Sequence, residues 1–439
     1  MVPVGARPSS RPLPERLPLW GILGAVAAAV GGAAVVRSPA LAALGIGALA
    51  AAAALLRLGF ATAVGGGFAV LPWMVLFDDL IPPLLRTFTA AAAAVLLLAA
   101  TGPPAVRGVA APVGAVLFSL ILLGQSIYAP GTEELIQAAK DIVFPVMVLC
   151  ILSPRGREVL HGQRKLLVGS GIAAMVVHLA IVAVGLGSVG TYYGIGERLG
   201  FAPAIPHELA LVGVIVAAAG VTVARRVSTQ VLFFAAGAVP AALTGVRSAL
   251  LSVALILVLI LLQNRFSLRT MAAIAGIVVV ALASGAADTI TARFDRQSVE
   301  LSGGVQSLGS GRGTIWTAAV SQWSDDGPLA WTFGSGLRAV NTFELAELGV
   351  EFVGHSDLVE ILVDFGVVGL LAWLLLWFAL LREGLGRLVL VPVLVYALVN
   401  GAIEYVGPLA FGLALAAAIA RPPQGSATAE AGAVGRPAA

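Results

Sequence analysis

The sequence predicts an all-α integral membrane protein that crosses the bilayer about 12 to 14 times. Of its 439 residues, 59% are hydrophobic and only 11% are charged, whereas soluble domains contain about 25% charged residues. The apolar residues form long runs, and a helix needs about 20 such residues to span the hydrocarbon. Arginines and acids alternate between the loops that separate these runs. These three observations exclude an ordinary soluble domain.

Fourteen apolar runs are candidate spans, and together they cover most of the chain. They lie near 18–36, 40–56, 59–77, 86–103, 109–128, 138–153, 166–188, 206–224, 228–244, 246–263, 270–287, 356–381, 387–402 and 404–420. Several are short and rich in Ala, and these could be re-entrant. The prediction is therefore a polytopic helical protein with 12 to 14 spans.

The arginines predict the orientation of the chain. With the N-terminus inside, the inner loops carry basic residues such as Arg57, Arg107 and Arg382, as the positive-inside rule requires. The outer loops carry the acids instead. The expected organisation is a cytoplasmic tail (1–17), a first group of spans (18–287), a large outer segment (288–355), a second group of spans (356–421) and a disordered cytoplasmic tail (422–439).

The outer segment 288–355 is too long for a simple connection and too polar to cross the membrane. Loops of this length are usually functional or disordered. Its tryptophans, Trp316, Trp323 and Trp331, argue against disorder. We therefore expect short helices there, with stretches such as 313–323 lying along the membrane surface.

Three arginines lie on the outer side, where the positive-inside rule does not place them. Arg247 stands just inside the outer end of a very apolar helix, Arg198 precedes another span, and Arg312 belongs to the outer segment. Arg247 alone could be a snorkelling anchor. A guanidinium donates hydrogen bonds in pairs and keeps its charge, which suits a dianion or a pyrophosphate. Together the three predict an anion-binding site at the outer face.

Two histidines are predicted on the same face. His355 can accept a proton from a hydroxyl because histidine titrates near neutrality. However, Asp357 and Glu360 also fit a capping box at the start of the next helix, and His355 could simply precede it. His207 begins a helix beside Glu208, where it is either a cap or a site residue.

Other kinds of site find no support in the sequence. The glycines around Arg312 lack the preceding strand and the Lys-Ser/Thr of a P-loop. No His or Cys pair has zinc spacing, and the single cysteine, Cys150, lies in an apolar run. The small net charge of +3 and the scattered arginines argue against nucleic-acid binding.

Four stretches, in this order, resemble the O-antigen ligase and O-antigen polymerase superfamily. They read RLGFAPAIPHELA (198–210), LTGVRSALL (243–251), RGTIWTAAV followed by PLAWTFGSGL (312–337), and GHSDLVEILVDFGVVGLL (354–371). His207 stands where the family more often has Asn. The resemblance extends over roughly 190–375, and the earlier spans match only as generic helices.

The resemblance implies a GT-C-like membrane glycosyltransferase that inverts the sugar and needs no metal or cofactor. Its donor would be an undecaprenyl-pyrophosphate-linked glycan, and its acceptor a glycan or a lipid, at the outer face of a bacterial inner or plasma membrane. Arg247 and Arg312 would bind the pyrophosphate, and His355 would act on the acceptor hydroxyl. Arg198 and Lys140 are weaker candidates for phosphate contacts.

The sequence leaves two alternatives open. A polymerase and a ligase differ in the acceptor, which the motifs do not identify. A transporter or flippase of lipid-linked oligosaccharide would use the same arginines but would need neither the long outer segment nor His355.

Overall fold

The structure is a computed structural model that describes residues 59–420, except 78–80, 82, 103–105, 107, 128–131, 185–188, 192–196, 200–205, 225, 245, 263–311, 349–355 and 385. The predicted spans 18–36, 40–56 and 270–287 lie outside the described residues, as do both predicted tails and His355.

The described chain is almost entirely helical, and its elements are numbered here in chain order. They are α1 (Phe60–Leu76), α2 (Pro83–Thr101), α3 (Ala110–Ile127), α4 (Thr132–Asp141), α5 (Val143–Leu152), α6 (Pro154–Gly162), α7 (Arg164–Ala183), β1 (Val189–Thr191), β2 (Glu197–Leu199), α8 (Pro206–Val223), α9 (Val227–Leu243), α10 (Arg247–Leu262), α11 (Arg312–Asp325), α12 (Pro328–Phe333), α13 (Ala339–Leu348), α14 (Asp357–Arg382), α15 (Arg387–Asn400) and α16 (Val406–Ile419).

The helical membrane fold is confirmed. Every predicted span within 59–262 and 356–420 coincides with a helix to within a few residues, although 138–153 is divided between α4 and α5. Five helices in the described part are long and apolar enough to cross a bilayer, or six if Ile136–Leu152 and α6, which meet at a bend of 92°, form one span. Others, such as α15 and α16, are apolar but shorter. The chain is thus a multi-pass membrane protein, and the described spans are fewer than the 12 to 14 predicted.

The strands β1 and β2 form a short antiparallel hairpin between α7 and α8. Each strand has only three residues, so the hairpin does not change the helical class of the fold.

Helix α8 lies at the centre of the bundle, because most of its residues are buried. Small residues let it approach α9 closely, as in many membrane helix pairs. A Cβ added at Gly213 would lie 2.7 Å from the carbonyl oxygen of Gly237. This central packing fixes the start of α8, which carries His207 and Glu208.

Helix α14 is broken at Gly366, whose φ of 70° and ψ of −172° are not helical. Backbone N–H groups of the outer segment bind the carbonyl groups next to this break. The N–H of Ser335 donates to the carbonyl of Val363, and the N–H of Gly336 donates to the carbonyl of Asp364. Irregular backbone within a membrane protein is stable only when its polar groups are bound in this way.

The predicted short helices of the outer segment are present as α11, α12 and α13. Helices α11 and α13 pack on the first turns of α14 through a small apolar core, and the partly buried Trp316 and Trp323 pack against this core. Trp323 also donates its indole N–H to the carbonyl of Ala330. This ordered packing agrees with the prediction that the tryptophans oppose disorder.

Candidate active site

The connection between α15 and α16 organises one end of the bundle. Together with the last turn of α15, it comprises residues 396–405, YALVNGAIEY, and this stretch is called the α15–α16 corner below. Helix α15 ends at Asn400 because Gly401 has a φ of 74°, a conformation that glycine adopts at little cost. Helix α15 therefore ends, and helix α16 begins, on either side of a short polar turn.

Arg312, the first residue of α11, is fixed by this corner. Its two terminal nitrogens donate to the carbonyl of Val399 at 2.6 Å and to the side-chain oxygen of Asn400 at 2.7 Å. An arginine side chain loses considerable rotamer freedom when it is ordered. Because these contacts order the Arg312 side chain before any ligand binds, the guanidinium is already held in one orientation.

Asn400 is oriented in turn by His207 and Tyr396. Its amide nitrogen lies 3.1 Å from His207 Nδ1 and donates to the Tyr396 hydroxyl at 2.9 Å. Tyr396 donates to the carbonyl of His207 at 2.7 Å, and the His207 ring stacks on Tyr405. With the amide nitrogen as donor, His207 Nδ1 is the acceptor. His207 is thus a buried positioning residue for Asn400, and through it for Arg312.

The start of α14 is bound to the same corner. Ser356 donates its hydroxyl to the carbonyl of Leu398 at 2.8 Å. The Asp357 carboxylate accepts the backbone N–H groups of Ala402 and Ile403. The capping-box hypothesis for Asp357 and Glu360 was wrong, because Asp357 binds the turn of another helix pair and Ser356 makes no side-chain cap.

His355 lies outside the described residues, but Ser356, which follows it in the chain, is hydrogen-bonded to the corner. Its predicted role on the acceptor side therefore stays a prediction.

Two more acids lie along α14. Asp364 accepts the backbone N–H groups of Arg338 and Val340, both at 3.0 Å, and so caps the start of α13. Both carboxylate oxygens of Glu360 are buried and have no hydrogen-bond partner among the described residues.

Arg247, the first residue of α10, lies at the same end of the bundle as the corner. Helices α10 and α15 are in contact, and Ser252 donates its hydroxyl to the carbonyl of Pro392 at 3.2 Å. Arg247 precedes Ser252 by five residues and Asn400 follows Pro392 by eight. Ser248 lies beside Tyr396, so the contacts progress in opposite directions along α10 and α15. The two helices are therefore antiparallel, and Arg247 lies toward the corner.

Lys140 and Arg198 remain the weaker candidates. The Lys140 ammonium forms an ion pair with Glu404 of the corner at 3.0 Å, which offsets its charge. For Arg198 the structure describes only the backbone, which pairs with Gly190 in the hairpin.

Sequence reasoning missed Arg86 near the start of α2. It forms a buried ion pair with Glu208 at 2.7 Å, and the two side chains are only 8% and 11% exposed. The available signal was the one used for Arg247, an arginine at the outer end of a predicted span. Asn400 was also missed, because an Asn-Gly pair between two apolar runs indicates only a turn.

Groups that attract an anion lie at this end, beside the carboxylates of Asp357, Glu360 and Glu404. Helices α8, α11 and α14 begin beside the corner, and the N-terminal ends of helices carry partial positive charge. Arg312 adds a full charge that is already oriented. Within the described part of the chain, no three or more His, Cys, Asp or Glu side chains are grouped to hold a metal ion.

A comparison with protein families matches residues 230–374 to the family described as O-Antigen ligase. This stretch includes Arg247, Arg312 and His355, so the resemblance inferred from the sequence is confirmed there. The chain matches none of the curated proteins with which it was compared. The α15–α16 corner and His207 lie outside the matched residues.

Proposed function

We propose that this chain, which carries an O-antigen ligase family domain over residues 230–374, transfers a glycan from undecaprenyl pyrophosphate to an acceptor hydroxyl. The reaction takes place at the outer face of a bacterial inner or plasma membrane and serves surface polysaccharide synthesis. The observation that carries the proposal is Arg312, which the corner orients through Val399 and Asn400.

The donor's pyrophosphate binds Arg247 and Arg312 beside the first turns of α11 and α14. Arginine suits this group because its planar fork donates paired hydrogen bonds to phosphate oxygens. His207 contributes indirectly by fixing Asn400, and Lys140 and Arg198 are secondary phosphate contacts.

The reaction is a direct displacement. The acceptor oxygen bonds to the anomeric carbon of the glycan while the bond from that carbon to the pyrophosphate oxygen breaks, which inverts the anomeric centre. Negative charge grows on the departing pyrophosphate, and the two arginines stabilise it in the transition state. His355 takes the proton of the acceptor hydroxyl.

The test is reconstitution of the purified full chain in lipid vesicles with a short undecaprenyl-pyrophosphate glycan and candidate acceptors. A ladder of products identifies a polymerase, and a single shifted acceptor identifies a ligase. Donor that crosses the bilayer without any new glycosidic bond would instead indicate a transporter.

His355→Ala should abolish the product and leave binding of the lipid-linked donor intact, because it removes the proton acceptor but neither arginine. The matched control is His161→Ala, since His161 contacts the carbonyl of Ala418 near the end of α16, far from the corner. If the His355→Ala variant transferred glycan at the full rate, the catalytic assignment would be wrong.

A further inference from the structure

A groove of about 760 Å³ lies between α3 and the helices of the outer segment. Its walls include Leu117 and Ile121 of α3, Phe343 of α13 and Val368 of α14. None of the residues in the proposed pyrophosphate site lines it.

The groove lies between two lipid-facing surfaces. Helix α3 exposes a stripe of apolar residues at intervals of three and four: Val113, Val116, Leu120, Leu123 and Ile127. Helix α14 exposes a second stripe: Val367, Leu371, Leu374 and Phe378. Residues with this spacing share one helix face, and apolar faces of membrane helices contact lipid chains. A hydrocarbon chain in the bilayer therefore has direct access to the groove.

One end of the groove is polar. The amide nitrogen of Gln125 donates to the carbonyls of Phe333 and Asp364, which fixes the side chain. The amide oxygen of Gln125 and one carboxylate oxygen of Glu134 are buried and have no hydrogen-bond partner in the part of the chain that the structure describes. Buried polar atoms are nearly always hydrogen-bonded in native proteins, so a ligand that donates hydrogen bonds at this end of the groove would satisfy both acceptors.

Gln125 follows Leu117 by eight residues on α3, which is about 12 Å along the helix axis. The polar acceptors thus lie toward the end of α3 that contacts the outer segment, and the apolar walls extend from there along the spanning helix. This gradient fits an amphiphile with its chain among the leucines and its hydroxyl groups at Gln125 and Glu134.

We propose that the groove binds the acceptor of the transfer reaction, and that this acceptor is a lipid whose sugar hydroxyls follow the hydrocarbon chain with no phosphate between them. The inference rests on the proposed function. The sugar hydroxyls donate to Glu134 and Gln125. A pyrophosphate-linked lipid would place its dianion beside the Glu134 carboxylate, and like charges at close range repel each other.

The groove is near enough to the corner to present such an acceptor. Asp364, whose carbonyl binds Gln125, follows Asp357 by seven residues on α14, or about 10 Å along the axis. The Asp357 carboxylate contacts the corner itself. The hydrocarbon chain and the first sugar of the acceptor occupy the groove, and the sugars further from the hydrocarbon chain extend toward the corner.

The test uses the full chain in lipid nanodiscs and two photoactivatable probes of equal chain length, a neutral alkyl glucoside and an alkyl phosphate. After irradiation, mass spectrometry measures the labelling of residues 110–127 and 334–343. We expect the glucoside to label both segments about tenfold more than the phosphate, as one charged hydrogen bond allows.

Gly124→Leu provides a steric block. A Cβ at Gly124 would meet no atom within 4 Å, so the larger side chain fills the groove without disturbing α3. The matched control is Gly169→Leu on α7, where a Cβ also meets nothing. Glucoside labelling should fall about tenfold in the first variant and stay unchanged in the second.

Glu134→Gln should remove most of the preference for the glucoside, because the phosphate no longer faces a carboxylate. Equal labelling by both probes in the unaltered protein, or glucoside labelling that survives Gly124→Leu, would overturn the inference. Because labelling needs no turnover, Arg312→Gln should keep the groove labelling while it loses transfer. In the unaltered protein, absence of groove labelling with normal transfer defeats this inference alone, whereas intact labelling with no transfer to any acceptor defeats the proposed function alone.

Discussion

The two ends of the helical bundle differ in how deeply their charged side chains are buried and how closely these are paired. At the corner end, Arg86 and Glu208 form a buried ion pair and Arg312 is held by two acceptors. At the opposite end, Arg155 is exposed, and Arg157 forms a longer pair with Glu383 at 3.7 Å, in which the two side chains are 11% and 32% exposed.

This difference separates two reasons for placing arginines in a membrane protein. Arg155 at the opposite end is exposed, and in the predicted orientation the positive-inside rule accounts for it. Buried charges in membrane proteins are costly and usually functional. On the proposed function, the buried charges of the corner end take part in the chemistry, and the exposed ones at the opposite end set the orientation of the chain.

The largest effect on stability is expected from the Arg86–Glu208 pair. Arg86→Met removes one charge of a buried pair, and such changes destabilise proteins by about 3–5 kcal/mol. The double variant Arg86→Met with Glu208→Leu should recover much of this loss because no buried charge then remains at the site. The measurement is the midpoint of thermal unfolding in lipid nanodiscs. A single variant as stable as the unaltered protein would remove the contrast between the two ends.

The next effect concerns activity. Arg312→Gln should lower the rate of glycan transfer about 10²–10³-fold, the usual result of removing one group that stabilises transition-state charge. The control is Arg155→Gln, which removes an exposed arginine at the opposite end and should leave the rate unchanged. Both rates are measured in the reconstituted transfer assay. Equal rates in the two variants would show that an arginine at the corner end matters no more for transfer than one at the opposite end.

The sequence predicted the helices better than the site. Apolar runs report directly on span length, so most described helices were found. Arg247 and Arg312 stood out because the positive-inside rule made them exceptions. Asn400 did not stand out, because its importance arises from contacts with Arg312 and His207, which lie far from it in the sequence.

The break at Gly366 could not be predicted from the sequence either, because the predicted span 356–381 has the pattern of one continuous apolar helix. A glycine within such a run fits close helix packing equally well. Only the docking of Ser335 and Gly336 onto the carbonyls of Val363 and Asp364 gives this glycine its role.

The smallest effect is expected from the Arg157–Glu383 pair at the opposite end. Partly exposed pairs contribute about 0–1 kcal/mol, because solvent screens the charges and ordering two long side chains costs entropy. Glu383→Gln should therefore shift the thermal midpoint in nanodiscs only slightly, and the shift should shrink further as salt is raised. A loss as large as that of Arg86→Met would show that charge burial does not distinguish the two ends. The corner would then need to be distinguished by its orientation of Arg312 alone, which only the transfer assay measures.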